Sequence, residues 1–183
     1  MPVPEIKARR IFAYHRKKKG WLPPYFIKPV VYECPEITPI RAYTRVSATS
    51  CTPEGSPNNM FDGDINTHYS LSCCTVEGQA YIILGVEYEW NGHECFNFLV
   101  KVRGYESPAG DRLICAGYEQ DGQLYALACG RMGYNTDEIW TFTMKNPPNP
   151  FIMFIYMYSG YGTMSCCYAR YYEGWCLEGI PCE

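Results

Sequence analysis

No stretch of a dozen residues in this 183-residue chain keeps apolar side chains at i, i+3, i+4 and i+7 without a Pro or Gly interrupting it. A helical core is thereby excluded, and burial has to be achieved by strands. The residue supply agrees: 17 Tyr, 8 Phe and 4 Trp suit a half-buried pleated surface, while 14 Pro and 16 Gly provide the turns between strands. The expected class is all-β with only short helical turns, and the length suffices for one domain with a sizeable core. Phe151-Ile-Met-Phe-Ile-Tyr-Met-Tyr158 follows the breakers Asn146-Pro-Pro-Asn-Pro150 and reads as a strand buried on both faces. It is too short to span a bilayer.

One stretch is motif-specific. Arg45-Val-Ser-Ala-Thr-Ser is followed by Asn58-Asn-Met-Phe-Asp-Gly-Asp-Ile-Asn-Thr-His-Tyr-Ser70, in which Asn59, Asp62, Gly63, Asp64, Thr67 and Ser70 match the opening loop of a known family. The stretch resembles the discoidin, or coagulation factor 5/8 C-type, domains. The resemblance covers residues 43 to 173 and weakens along the chain. Tyr69 stands where the family has Trp, and Gln79-Ala-Tyr-Ile-Ile-Leu-Gly85 has Ile83 where the family has Asp. Phe96 to Val102 and Phe151 to Tyr158 fall where the family's central and late strands would be. The resemblance implies a galactose-binding-like jelly-roll β-sandwich. It also implies two candidate sites. The first is a structural calcium held by Asp62 and Asp64 with oxygens from Asn59 and Thr67, since hard oxygen donors on a tight glycine turn suit that ion. The alternative is a turn whose aspartates cap backbone amides. The family usually adds an acid from its last strand, but Cys167-Tyr-Ala-Arg-Tyr-Tyr172 supplies none in register, with Glu173 only at its edge. The second is a saccharide site of exposed aromatic and polar groups on loops at one end, for which Trp90, His93, Tyr134 and Tyr161 are the candidates.

Charge divides the chain. Residues 1 to 45 hold ten Lys or Arg against three acids, giving +7; a whole-chain charge of −3 therefore leaves −10 for the remainder. Residues 1 to 42 read as an extended arm, because prolines, cations and scattered aromatics cannot build a core. Residues 43 to 173 form the expected sandwich and 174 to 183 a cysteine-containing tail. Three readings of Arg16, Lys17, Lys18 and Lys19 stay open: a solvated charge run, a phosphate-contacting arm, and an anchor on acidic surfaces of neighbouring subunits. Arg9 and Arg10 extend the charge, and the flanking Tyr14, Trp21, Tyr25 and Phe26 favour the anchor, since aromatic rings bury large areas in interfaces.

Near the start no apolar run reaches the seven to fifteen residues of a secretory signal, so synthesis in the cytosol is expected. Eleven cysteines sit awkwardly with that. Zinc spacings are lacking, and an odd count leaves at least one thiol free or intermolecular. Mostly buried free thiols with a few bridges are the expectation, without connectivity.

Catalysis finds little support. The three histidines, 15, 68 and 93, belong to no hydrolase, metalloprotease, P-loop or dinucleotide motif. His93 and Cys95 share a strand side at best. The carboxylate pairs Asp137/Glu138 and Glu87/Glu89 read as solvated strand ends. The expectation is a non-catalytic structural component of a large assembly. A bacteriophage virion protein is the leading reading: a capsid decoration, tail, fibre or adaptor subunit anchored by its arm to neighbouring subunits. The alternative is a carbohydrate-binding module or lectin that recognises cell-surface glycans. Neither membrane insertion nor nucleic acid is expected of the acidic body.

Overall fold

Two strands are much longer than the others, and the architecture follows from how they pair. In the computed structural model, which describes residues 33–179 apart from 48, 49 and 93, together with residue 182, the order is β1 (Glu36–Val46), β2 (Ser50–Glu54), a 3₁₀ turn (Pro57–Met60), β3 (Tyr69–Asn91), β4 (Cys95–Ser107), β5 (Asp111–Gln120), β6 (Gln123–Arg131), β7 (Glu138–Lys145) and β8 (Phe151–Leu177). The arm residues Arg9, Arg10, Tyr14, Arg16 to Lys19, Trp21, Tyr25 and Phe26 lie outside the described residues, as does His93. Among the described residues no helix is long and apolar enough to cross a membrane.

β3 and β8 run antiparallel from Tyr69↔Tyr171 to Tyr88↔Phe151, with a shift of register between Gly78 and Ala80. Gly78 has φ +142°, a backbone setting that L side chains rarely adopt, so the bulge falls where the chain tolerates it. On either side of this bend the same two strands serve different layers. The first layer is β1, β3 (80–91), β8 (151–159), β5 and β6; the second is β2, β3 (69–78), β8 (162–177), β4 and β7.

Period-two alternation puts Ile82, Leu84, Val86 and Tyr88 with Phe151, Met153, Ile155 and Met157 on one side of the first layer, all buried. They meet Phe98, Val100, Val102, Cys167, Ala169 and Tyr171 of the second layer. The contact is direct: the Phe98 ring stands edge-on to Phe151 at 5.5 Å and to Tyr88 at 4.9 Å, and the Tyr88 and Tyr171 hydroxyls are 3.2 Å apart. Gly104 lies against Met157, so a Cβ there would collide with its sulfur. The fold is thus the expected all-β jelly-roll sandwich, with Met60 of the 3₁₀ turn plugging its core.

The outer face of the first layer is also apolar at its centre, where Tyr43, Cys115, Ile152 and Phe154 cluster with Ile83 and Leu113. The expectation that 151 to 158 is buried on both faces holds for 151 to 155. Ile83, which replaces the family's Asp, belongs to this cluster. Glu87 corrects the reading of Glu87/Glu89 as solvated: it is buried and pairs with Arg41 of β1, whereas Glu89 is exposed.

The ends of the sandwich differ from the expected boundaries. β1 starts at Glu36, inside the segment assigned to the arm, because Pro39 tolerates an edge strand and the register step from Pro39 to Arg41 absorbs Ile40. β8 continues through Leu177, inside the expected tail.

The cysteine expectation is overturned. Ten of the eleven pair as Cys34–Cys176, Cys51–Cys73, Cys74–Cys166, Cys95–Cys182 and Cys115–Cys129, and only Cys167 is free. Cys73 and Cys74 point to opposite faces, and they bridge different neighbouring strands, Cys73 to Cys51 of β2 and Cys74 to Cys166 of β8. Cys51–Cys73, Cys74–Cys166 and Cys115–Cys129 all join residues directly opposite in register. Chain-entropy scaling distinguishes the bridges by loop length. Replacing Cys34 and Cys176 by Ser removes a bridge whose loop is short-circuited through Cys51–Cys73 and Cys74–Cys166 to far less than its sequence separation of 142, and is expected to lower unfolding free energy by about 3.5 kcal/mol. The same change at Cys115 and Cys129, separated by 14, is expected to cost about 3 kcal/mol in urea denaturation; the reverse order would reject the account.

Candidate functional site

The loop between β2 and β3 carries the motif that the sequence singled out. Its local hydrogen bonds follow from short acidic side chains two residues before a backbone N–H. Asp64 N–H donates to Asp62 Oδ1 at 3.0 Å, and Asn66 N–H to Asp64 Oδ1 at 2.9 Å. The Thr67 hydroxyl lies 2.9 and 2.8 Å from the two Asp62 carboxylate oxygens, and Asn59 Nδ2 donates to His68 O at 3.2 Å. Glu173, which the sequence placed only at the edge of its strand, reaches the loop: its Oε2 accepts the Gly63 N–H at 2.9 Å. Half-burial pushes the Glu173 carboxyl above the ordinary carboxylate range, the Gly63 and Gly174 amides oppose that rise, and the Asp62 and Asp64 charges add to it.

Asn59, Asp62, Asp64 and Thr67 are therefore brought together as expected, but as a self-closed turn. Among the described residues no group of three or more His, Cys, Asp and Glu side chains is placed to hold a metal ion. Both Asp62 carboxylate oxygens and one of Asp64 are engaged by the loop's own hydroxyl and amide donors, as in a turn whose aspartates cap backbone amides.

The saccharide candidates do not form one site. Trp90 sits at the end of β3, tilted on Phe96 at 5.8 Å, with its indole N–H donating to Pro148 O at 3.3 Å. It lines a polar recess of about 380 Å³ with Glu36, Thr38, Asn91 and Asn149. Tyr161 lies at the β3–β8 bend, 77% exposed, beside the exposed pair Val76 and Met164. Tyr134, between β6 and β7, is 6.1 Å from Tyr105 of β4, with the Arg112 guanidinium 5.3 Å from its ring. As for the nucleophile reading, Cys95 is bridged to Cys182 and has no thiol.

Tyr134 leads to a surface that sequence reasoning missed. On the outer face of the second layer, Lys101, Arg103 and Tyr105 alternate with the buried Val102 and Gly104, while Tyr168 and Arg170 alternate with the buried Cys167, Ala169 and Tyr171. The strands lie in register, so Tyr105 faces Tyr168 and Arg103 faces Arg170 directly. The row of arginines continues through Ser70 to Glu54.

Tyr105 and Tyr168 stack at 5.5 Å with 19° between planes. The Arg170 guanidinium lies 5.5 Å from the Tyr168 ring and 5.9 Å from the Tyr172 ring, and Lys101 Nζ is 4.1 Å from the Tyr172 ring. Arg170 pairs with Glu54 at 3.1 Å, and Arg103 Nε lies 2.7 Å from Asp137 Oδ1, which also accepts the Tyr172 hydroxyl at 2.8 Å. Asp137 is therefore a ligand of this face rather than a solvated strand end. His68 stands edge-on to Tyr172 at 5.4 Å. Burial, then the Arg170 charge, hold its pKa below the ordinary histidine range, with Glu54 opposing them. The signal for this face was the alternation Lys101-x-Arg103-x-Tyr105 with Tyr168-x-Arg170-x-Tyr172, a period of two in chemistry as well as in hydropathy.

The loop yields a test of the Glu173 environment. A carboxyl whose folded pKa lies above its unfolded one contributes stability that is complete below the unfolded value and is lost as pH rises through the folded one. Stability of the parent is therefore expected to fall, from this group, as pH rises above about 4.5. Glu173→Gln, which keeps an acceptor for Gly63, should show a shallower fall in urea denaturation across pH 4 to 7. Parallel profiles for the two proteins would reject the assignment. Millimolar calcium is expected to leave the midpoint of thermal unfolding unchanged, and a rise of several degrees would favour the calcium reading of the loop over the capped turn.

No family model matches the sequence, and no curated protein matches it. Solved structures similar to the chain include TmCBM61 in complex with β-1,4-galactotriose, at 10% identity and TM-score 0.40, covering 73% of this chain and 88% of that one. The enzymatically active domain of tailspike protein 4 of bacteriophage CBA120 is similar at 15% identity and TM-score 0.39, covering 77% of this chain and 19% of that one. The CBM32 of AlyQ in complex with 4,5-unsaturated mannuronic acid is similar at 15% identity and TM-score 0.30, covering 80% of this chain and 97% of that one.

Proposed function

We propose that this chain is a non-catalytic saccharide-binding module whose contact surface is the outer face of β4 and β8. The observation that carries the proposal is the register of that face. The stacked Tyr105/Tyr168 row lies directly beside the Arg103/Arg170 row, with Tyr172 on the other side of Arg170. A saccharide presents apolar C–H patches and closely spaced hydroxyls together, so its receptor needs aromatic surface and fixed polar groups within a few ångströms of each other. Sheet residues supply them on rigid backbone, at little ordering cost on binding.

The groups are also held. Glu54 and Asp137 grip the two guanidinium groups from the outer sides, and Asp137 fixes the Tyr172 hydroxyl. None of the groups on this face forms a nucleophile with an adjacent base, which fits binding without turnover. The five disulfides fit service in an oxidising compartment rather than in a reducing cytosol. The assembly reading rests on the arm, residues 1 to 42, whose residues 1 to 32 lie outside the described residues, and nothing within the sandwich favours it over saccharide binding.

Screening the purified chain against immobilised oligosaccharides, followed by titration calorimetry, tests the proposal. Tyr168→Ala is expected to weaken binding by about tenfold or more, as for an aromatic anchor, while Trp90→Ala and Tyr161→Ala leave it unchanged. Loss of binding in Trp90→Ala alone would move the site to the recess beside Asn149. Failure of every saccharide to bind would end the module reading.

A further inference from the structure

We infer that the Arg103–Arg170 pair receives the anionic group of an acidic saccharide, a carboxylate or a sulfate ester, so that the face selects charged over neutral sugars. The inference rests on the saccharide reading and specifies its ligand class.

Three observations lead to it. Arg103 and Arg170 are direct cross-strand partners, and like charges placed opposite each other in a sheet are destabilising. Each guanidinium has one acid of its own: Glu54 pairs with Arg170 and Asp137 with Arg103. Asp137 is linked to Arg170 through the Tyr172 hydroxyl alone.

The donors there are incompletely used. Arg170 spends Nη2 on Glu54 and has only a 3.4 Å contact from Nη1 to the Tyr172 hydroxyl. Its Nε is buried without a hydrogen-bond partner. Arg103 is engaged through Nε alone, as an ion pair, and among the described residues no acceptor meets its terminal nitrogens. A buried donor without a partner carries a desolvation cost that an incoming oxygen acceptor would relieve. A planar guanidinium fork with terminal donors unspent matches the two- or three-oxygen geometry of a carboxylate or sulfate. The pair is reachable, since the Arg103 side chain is 32% exposed and that of Arg170 is 19% exposed.

Charge placement is the third observation. Residues 46 to 183 contain six Lys or Arg against sixteen acids. Three of the six, Lys101, Arg103 and Arg170, stand on this one face, with Glu54, Asp137 and Glu173, the cross-strand partner of Lys101, as acids beside them. Gathering half of these cations on one face of an otherwise acidic body favours that face as the docking position for an anion.

The experiment compares an oligogalacturonate, its methyl ester, and a sulfated galacto-oligosaccharide by titration calorimetry on the full chain. The methyl ester keeps the ring and removes the charge. The acid is expected to bind on the order of tenfold more tightly than the ester, with affinity falling as salt is raised. Arg103→Gln should bring acid and ester to equal affinity, and Arg103→Lys should retain part of the preference because it keeps the charge and loses the fork. Unchanged thermal unfolding of both variants would show that the face has kept its structure; if Arg103→Gln unfolds, the parent and Arg103→Lys comparisons still decide. Tight binding of the carboxylated sugar alone identifies a carboxylate partner, and tight binding of the sulfated one identifies a sulfate partner. Equal affinity of the parent for acid and ester, or absence of binding to all three sugars, would overturn the inference; the saccharide reading falls only if no saccharide of the screen binds.

Discussion

The antiparallel ladder between β3 and β8 is the constraint on which the other strands depend. It passes without a break in chain from one layer of the sandwich to the other, changing register only beside Gly78. Each remaining strand docks on one half of it or on a strand already docked there. A slip of one residue in this ladder would turn Ile82, Leu84 and Val86 outward and carry Glu87 into the core. The hydrophobic alternation therefore fixes the register in the first layer, and the shared backbone transmits it to the second. The aromatic contacts among Tyr88, Phe98 and Phe151 close the layers only when both halves are in phase.

The same register explains the cysteines. Cys73 and Cys167 are themselves opposite each other across β3 and β8, yet Cys73 bridges to Cys51 on its other side. Cys167 keeps its thiol, donates to Ala80 O at 3.2 Å, and is pushed by burial up to about 12. It behaves as a small apolar core residue, without the thiolate character that reactivity requires. The covalent staples thus sit on strand pairs already chosen by hydrophobic alternation, and they add loop constraint rather than topology.

Features that depend on neighbours in sequence were legible, and features that depend on register were not. The absence of helical periodicity gave the class, and the breakers before Phe151 located the start of β8. The turn at Asp62-Gly63-Asp64 was readable because its hydrogen bonds span two residues. Ser159-Gly-Tyr-Gly162 looked like a loop, since glycine pairs usually end strands, but in the structure it is the bend through which β8 crosses to the second layer. Bridges between directly opposed cysteines, the approach of Glu173 to Gly63, and the facing of Arg103 and Arg170 all require knowing which residue lies opposite which. Tyr134 was identified as an exposed aromatic, but only the fold shows that Tyr105 connects it to the β4–β8 face.

That face also shows how stability and recognition draw on the same positions. For stability alone, Thr or Val at 103 and 170 would serve an outer strand pair better than two opposed guanidinium groups. The cost is contained by tyrosine rings on both sides of Arg170 and by one carboxylate on each flank. These contacts lower the energy of each arginine and leave the terminal nitrogens of Arg103 without an acceptor among the described residues. Full quenching of the repulsion would spend those donors as well. Holding the forks in fixed positions with donors unspent is instead what a preorganised anion receptor needs: the ordering of the long side chains has already been met in the folded state, so less is lost when a ligand arrives.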